Sequence, residues 1–401
     1  MHSTRKIKED LIYVGGSDRR LSRFENLFPI PKGVSYNSYV LLDEKTVLFD
    51  TADESISRQY IENVVHALNG RPLDYMVVQH MEPDHCAMID DMLRRYPEAK
   101  MVCSAKAVGM FAQFYGTDVA ARALVVKEGD KLSTGEHTLH FVMAPMVHWP
   151  EVMVTYDEKD KILFSADAFG TFGALAGNIF NDEITFDTTW MNDARRYYTN
   201  IVGKYGVQVQ ALLKKAASLD IEMICPLHGP IWRKDLGLLL EKYQKWSTYE
   251  PEDKTVMIAY ATMYGNTENA ANVLAGMLAD KGVKNIAMYD VSETDVSELV
   301  AESFRCSHIV LAAPTYNGGV QPKMEAYLSD IKALNLQNRT VAVIDNGTWA
   351  ATAGKQMIGM LEGMKNMTIL ENPISIKSAL AENQLGALEA LADELAKQVN
   401  G

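Results

Sequence analysis

Long apolar runs are what this sequence most plainly lacks: nowhere in its 401 residues does a stretch approach the ~18 needed to cross a bilayer. A membrane-spanning helix is therefore not expected. The first ten residues carry charges on both sides of Ile7 instead of the apolar core of a secretory signal, so export is not indicated and the cytoplasm is the expected location. Cysteine is scarce. Cys86, Cys103, Cys225 and Cys306 are the only four and form no C-x-x-C pair, which excludes an iron–sulfur or rubredoxin-type thiolate site built from adjacent ligands. Basic residues are in deficit, 39 against 52 acidic for a net charge of −13, which argues against a nucleic-acid backbone or anionic lipid as the main partner. A Walker A lysine and a G-x-G-x-x-G loop are both missing, so ATP and NAD are weak candidates.

What is present is ordinary globular composition, 47% hydrophobic and 23% charged, at a length that gives a prior of two to three domains at roughly 100–200 residues each. The halves differ in rhythm. Up to about Ile231, short β-rich runs such as Thr46-Val-Leu-Phe, Tyr75-Met-Val-Val, Ile162-Leu-Phe and Met223-Ile-Cys alternate with turns, and helices are expected over 57–68 and 192–217. This suggests two sheets with helices packed outside. A polar, Pro-containing connection at 247–254 reads as a linker. Beyond it come five regular β–α units with strands expected at 256–261, 285–289, 307–313, 340–344 and 367–370, a doubly wound parallel sheet whose ligand belongs at the carboxyl ends of its strands. The expected domains are 1–250 and 254–401.

The segment Val77-Val-Gln-His-Met-Glu-Pro-Asp-His-Cys86 runs an apolar strand directly into His80, Glu82, Asp84 and His85. Alternate residues of an extended chain project to one side, so His80, Glu82 and Asp84 converge if strand geometry continues past the sheet edge. His148, Asp167 and His228 each follow a later apolar run. Seven nitrogen and oxygen ligands exceed the needs of one metal and suit two adjacent ions with Asp167 able to bridge, and imidazole plus carboxylate suits Fe, Zn or Mn. Trp149, Phe172 and Tyr198 are candidate pocket walls.

The order H-x-E-x-D-H, then His148, Asp167 and His228 in a Cys-Pro-Leu-His-Gly-Pro setting, resembles the metallo-β-lactamase-like domain of flavodiiron proteins. Hydrolytic relatives usually carry H-x-H-x-D-H and bind zinc; Glu82 here is an anionic ligand better suited to iron. The resemblance implies a non-haem diiron centre, one iron on His80, Glu82 and His148, the other on Asp84 and His228, with Asp167 bridging and His85 either a ligand or just outside.

In the second half, Thr262-Met263-Tyr264-Gly265-Asn266-Thr267 lies between a strand and a helix. Hydroxyls, a flexible glycine and the first amides of the helix form a phosphate cradle that needs no lysine. It is similar to the T-x-x-G-x-T loop that binds the FMN phosphate in flavodoxins. Two later strand ends, Pro314-Thr315-Tyr316-Asn317-Gly318-Gly319 and Asn346-Gly347-Thr348-Trp349, offer backbone donors and aromatic rings to flank an isoalloxazine.

The resemblance spans about residues 5 to 398 and implies an α/β protein: an N-terminal metallo-β-lactamase-like αββα sandwich followed by a C-terminal flavodoxin-like doubly wound parallel sheet. It further implies FMN and two non-haem Fe ions, an oxidoreductase reducing O2 to water and/or NO to N2O, and a head-to-tail homodimer or a dimer of such dimers. The rubredoxin and flavin-reductase modules of longer relatives are expected to be absent. A separate donor is then needed, a rubredoxin first and a deazaflavin second. The alternatives are a dinuclear zinc hydrolase fused to an FMN module, and an electron carrier with a decayed metal domain.

Overall fold

The computed structural model describes residues 1–401, which divide into two compact units, 1–198 with 207–243 and 199–206 with 244–401. In the first unit a seven-stranded and a five-stranded sheet lie face to face. The inner faces follow from period-two alternation: Tyr39 and Leu41, Val47 and Phe49 meet Leu139 and Phe141, Ile162 and Phe164 in one buried cluster. The rings of Phe49 and Phe164 stack across the layers at 3.8 Å. On the outer side, helix Ser57–Leu68 buries Tyr60, Val64, Ala67 and Leu68 and packs against strand Tyr39–Leu42, and helix Ala105–Tyr115 covers Lys100–Ser104.

Strand direction places the chemistry. Thr46–Phe49, Tyr75–Val78 and Lys100–Ser104 run parallel, as do Ile162–Phe164 and Met223–Cys225. Parallel neighbours deliver their carboxyl ends to one edge, and there lie Asp50, His80, Asp167 and His228, each one to three residues past a strand.

The single helix expected over 192–217 is broken. The chain forms Met191–Tyr197, a π turn Tyr198–Val202, a 3₁₀ turn Gly203–Tyr205 and then helix Gly206–Ala216. A Cβ on Gly206 would stand 2.3 Å from the Ser247 carbonyl oxygen, so the break falls where two backbones nearly touch.

The second unit is a parallel sheet in the order Ala287–Asp290, Asp253–Tyr260, Cys306–Tyr316, Thr340–Asn346, Thr368–Ile369, with every one of these pairings parallel. Apolar clusters cover both faces, which is why Val256, Met257, Ile258 and Ala259 are all fully buried in an unbroken apolar run. The fifth strand differs from expectation. Glu371-Asn372-Pro373 interrupts it, Asn372 takes φ +66°, and a second piece, Ile374–Ile376, resumes pairing with Thr340–Asn346. Buried Arg339 donates to the carbonyls of Ser303 and Phe304 in the last turn of helix Val296–Arg305, and to that of Tyr249. No helix of the chain is long and apolar enough to cross a membrane.

A polar clamp joins the N-terminal turn to the second sheet of the first unit. Fully buried His137 donates from Nδ1 to Asp157 at 2.8 Å, its Nε2 lies 3.0 Å from Asp10, and Lys159 reaches both Asp10 and Glu136. Burial alone would lower the imidazole's pKa, but Asp157 and Asp10 outweigh it and raise it to about 9. A pKa raised on folding contributes stability that is full below the unfolded value of about 6.5 and is lost as pH climbs through the folded one. The stability gap between wild type and His137→Gln is expected to narrow by about 1–3 kcal/mol between pH 6.5 and 9, read from urea midpoints of the first unit; a constant gap would show that His137 is neutral in the fold.

Candidate metal centre and flavin pocket

His80 follows strand Tyr75–Val78 and is held there by Asp50, which accepts from the Gln79 amide at 2.8 Å and the His80 amide at 3.3 Å. Extended geometry does not continue to Asp84. Pro83 starts the one-turn helix Pro83–Cys86 directly after Glu82, so the alternation that would have brought His80, Glu82 and Asp84 to one point ends at Glu82. The turn sends the residues to two places instead.

In the first cluster, His80 Nε2 lies 3.2 Å from Glu82 and 3.1 Å from Asp167 Oδ2, and His148 Nε2 lies 3.0 and 3.2 Å from the same two oxygens. In the second, His85 Nε2 lies 3.2 Å from Asp84 Oδ2, 3.2 Å from Asp167 Oδ1 and 3.0 Å from His228 Nε2, which is itself 3.1 Å from Asp84 Oδ2. Asp167 thus gives one oxygen to each cluster. All seven residues expected from the sequence are buried and brought together, His85 among them.

Hydrogen bonding accounts for only some of these contacts: Glu82 pairs with the His80 and His148 rings and His85 with His228. Both Asp84 oxygens and Asp167 Oδ1 have no hydrogen-bond donor despite imidazoles nearby, because ring nitrogens and carboxylate oxygens aim at shared points and not at each other. His80 donates from Nδ1 to Glu151 at 2.7 Å and His228 from Nδ1 to the Ser35 carbonyl at 2.7 Å, which leaves each Nε2 with an inward lone pair. Metal–ligand bonds of about 2.0–2.2 Å at near right angles put neighbouring ligand atoms about 3 Å apart, the spacing found here. The donor set fits two cations. With protons in their place, burial depresses the imidazoles but the carboxylates prevail: Asp84 and Asp167 raise His85 to about 10, and Asp167 and Glu82 raise His148 to about 9. Burial pushes the Glu82 and Asp167 carboxyls up, and the imidazoles pull both below the usual carboxylate range.

Aromatic rings wall the clusters. The ring centres of Phe24, Tyr36 and Tyr197 lie 5.4, 5.9 and 5.4 Å from that of His228, and Trp149 meets the His80 ring edge-on with centres 5.3 Å apart. Phe172 packs against Phe24 and Tyr197. Tyr198, the expected wall, instead packs on Tyr243 at 5.0 Å; its neighbour Tyr197 faces His228, since adjacent residues of a helical turn point about 100° apart. The Tyr197 hydroxyl is buried without a hydrogen-bond partner, in the field of Asp167, Asp84 and Glu82. Tyr197, Glu151 and Glu25, whose carboxyl meets Glu82 and is raised to about 8 by desolvation and that contact, are residues that sequence reasoning missed. Glu151 stands three residues after His148, a spacing that could have drawn attention to it.

In the second unit a cavity of about 450 Å³ opens at the carboxyl ends of strands Asp253–Tyr260, Cys306–Tyr316 and Thr340–Asn346. Thr262, Met263, Tyr264, Asn266 and Thr267, then Pro314, Thr315, Tyr316, Asn317 and Gly318, then Asn346, Gly347, Thr348 and Trp349 line it, as expected, together with Ala350, Thr352 and Ser378. Gly265 and Gly319 do not. Gly265, at φ +86°, turns the chain into helix Asn266–Asp280 and donates its amide to the Thr262 hydroxyl, while Gly319 closes the hairpin with Tyr316. No side chain caps that helix, so its first amides remain donors facing the cavity. Gly347 is required, because a Cβ there would meet Ala351 Cα at 2.7 Å. Tyr264 and Trp349 stand 89% and 93% exposed at the rim. A phosphate at the helix start and a flat ring between the aromatic side chains fit this lining, which carries no charged residue.

Comparison with known proteins agrees in both halves. Residues 34–229 match the ODP family beta lactamase profile and residues 257–389 the flavodoxin domain profile. The anaerobic nitric oxide reductase flavorubredoxin of Aeromonas hydrophila is 31% identical over 353 residues, covering 86% of this chain and 70% of that protein. The flavodiiron protein of Giardia intestinalis superposes with a TM-score of 0.93 at 26% identity, over 99% of this chain and 96% of that one. Rubredoxin oxygen:oxidoreductase of Desulfovibrio gigas does so with 0.92 at 28% identity, over 99% and 98%. Two matched domains in this order, with an identity and coverage of that extent, mean that the chain belongs to the flavodiiron protein family.

Proposed function

We propose that this chain is a flavodiiron reductase in which FMN in the second unit feeds electrons to a non-haem diiron centre in the first, where O2 is reduced to water or NO to N2O. The observation that carries this is Asp167, whose two oxygens divide between two buried clusters of imidazole and carboxylate on a chain that also holds an uncharged cavity of about 450 Å³ at a helix start. One O2 needs four electrons and four protons to become two waters, and two NO need two of each to become N2O and water. When bound and reduced, the iron pair and the flavin supply two electrons each.

His80, Glu82 and His148 would hold one ion and Asp84, His85 and His228 the other, with one Asp167 oxygen offered to each cluster. His80, His85 and His148, whose carboxylate neighbours favour the protonated ring, would give up that proton to hold an ion. Phe24, Phe172 and Trp149 keep bulk water from the open side, and the Tyr197 hydroxyl, having no protein acceptor, is free to donate to a substrate oxygen. In the flavin cavity, Thr262, Thr267 and the helix amides take the phosphate, and Tyr316 and Trp349 flank the ring. A rubredoxin is the electron donor. Two copies pair head to tail, so that the flavin of one serves the metal centre of the other.

Protein purified after growth with iron is expected to contain about two Fe and one FMN per chain and, once reduced without air, to consume O2 or NO. Asp167→Ala should lose most of its iron while keeping FMN. Two zinc ions in place of iron, or reduced iron-loaded protein inert to both gases, would overturn the assignment. Tyr197→Phe removes a buried hydroxyl that bonds to nothing, so stability should hold or rise by up to about 1 kcal/mol while turnover falls on the order of 100-fold. Unchanged turnover would make Tyr197 a wall only. Mixing Asp167→Ala chains with chains defective in FMN binding through Gly347→Val should restore part of the activity each lacks alone; complete failure in mixtures shown to exchange subunits would count against the head-to-tail pairing.

A further inference from the structure

The four imidazoles of the metal centre are not supported alike. His80 Nδ1–H donates to Glu151 Oε1 at 2.7 Å, and that oxygen also accepts the Met81 amide at 2.8 Å. Both side chains are fully buried, Glu151 Oε2 has no donor, and no lysine or arginine pairs with the carboxylate. A whole negative charge therefore sits one ring away from the first cluster. Behind the second cluster no carboxylate accepts from a ligand ring: His228 Nδ1 donates to the neutral Ser35 carbonyl, His85 Nδ1 has no acceptor, and buried Asp50, within electrostatic reach of His85, spends its oxygens on Gln79 and the His80 amide.

We infer that Glu151 makes the two halves of the metal centre electronically unequal, acting as a positioning residue that holds the His80 half at the lower reduction potential. The inference rests on the diiron reading above. A hydrogen bond to a buried carboxylate draws the ring proton away from Nδ1, makes Nε2 a stronger donor, and favours the more highly charged ion bound to it. Glu151 also closes a mechanical loop. It lies three residues beyond His148, and its backbone carbonyl accepts from the Ser104 hydroxyl at 2.8 Å, so it ties the segments bearing His80 and His148, the two imidazoles of one cluster, to strand Lys100–Ser104. His80 is thereby fixed in both tautomer and direction. The His85–His228 half relies on a carbonyl and on packing.

Glu151→Gln keeps an acceptor oxygen for His80 but removes the charge, and this separates the two contributions. Mössbauer-monitored redox titration of ⁵⁷Fe-loaded protein should show the potential of one iron rising in this variant by about 59 mV, a tenfold loss of ferric over ferrous preference, with the other moving far less. Iron content should stay near two per chain. Potentials that are unchanged, or that shift equally at both irons, would overturn the inference while leaving the reductase reading intact. Wild-type protein that takes up no iron would sink both. Where Glu151→Gln loses iron from one half, Glu151→Asp, which keeps the charge, is expected to retain it; loss from both variants means the side chain serves packing alone and overturns the proposal.

Discussion

Three carboxylates, Glu82, Asp84 and Asp167, are buried at the edge of a sandwich whose interior offers almost nothing but hydrocarbon, and the first unit is organised round neutralising them. An unpaired ion in such a place costs several kcal/mol. Imidazoles answer that cost in two ways: His80, His85 and His148 as cations, which is why His85 is raised to about 10 and His148 to about 9, or all four rings as neutral donors once divalent cations occupy the clusters. Metal entry thus exchanges protons for stronger charge at fixed positions, and the free energy of that exchange adds to the stability of the fold. Because the seven residues span positions 80 to 228 and arrive from both sheets, they can meet only after the two layers have packed.

The second unit solves the opposite electrostatic problem with opposite means. Its cavity contains hydroxyls, side-chain amides, backbone and aromatic rings, and no lysine or arginine. An anion placed there is held by the uncapped start of helix Asn266–Asp280, where oriented amides supply partial positive charge without the desolvation cost of a buried cation. The place is set by topology. Strands one and three are neighbours, the chain leaves them in opposite directions, and a crevice opens between their carboxyl ends. Such a site is neutral without ligand and needs no compensating partner, whereas the carboxylate clusters of the first unit are unstable as bare charge.

How much of this was legible in the sequence depended on the range of the interactions involved. Strand ends announced themselves, because an apolar run passing abruptly to His80, Asp167 or His228 is a local signal, and so did the three glycine- and hydroxyl-bearing loops of the second unit. The condition for bringing Asp84 beside His80 fails at Pro83, since proline at the first position of a helical turn is a local signal that alternation has ended; the pairing of Asp84 with His228 came from the resemblance. The break in residues 192–217 was not readable in that way: a close approach of Gly206 to the Ser247 carbonyl is a tertiary fact. Choosing Tyr198 over Tyr197 was a phase error of one residue, and only the packing of Tyr198 on Tyr243 decides it. Glu151 lay hidden because its partner, His80, is 71 positions away.

The walls of the metal centre bear on what it can transform. A dinuclear hydrolase must orient a polar ester, amide or phosphate, which calls for donors beside the metals that bind the substrate's remaining oxygens and nitrogens. Here the neighbours of the ligand imidazoles are mostly the rings of Phe24, Tyr36, Tyr197 and Trp149, with Phe172 behind them, and the polar groups beside them are few: the unpartnered Tyr197 hydroxyl and the Glu25 carboxyl, which desolvation and its contact with Glu82 raise to about 8. Apolar walls cost a diatomic gas little desolvation and exclude the water that would compete for the metals. A hydroxyl and one protonated carboxyl are enough to direct protons to a small oxygen-bearing substrate. Glu82 acts in the same direction, since an anionic oxygen in the cluster stabilises the higher oxidation state that a metal cycling between two charges must reach, and zinc, having only one, gains nothing from it.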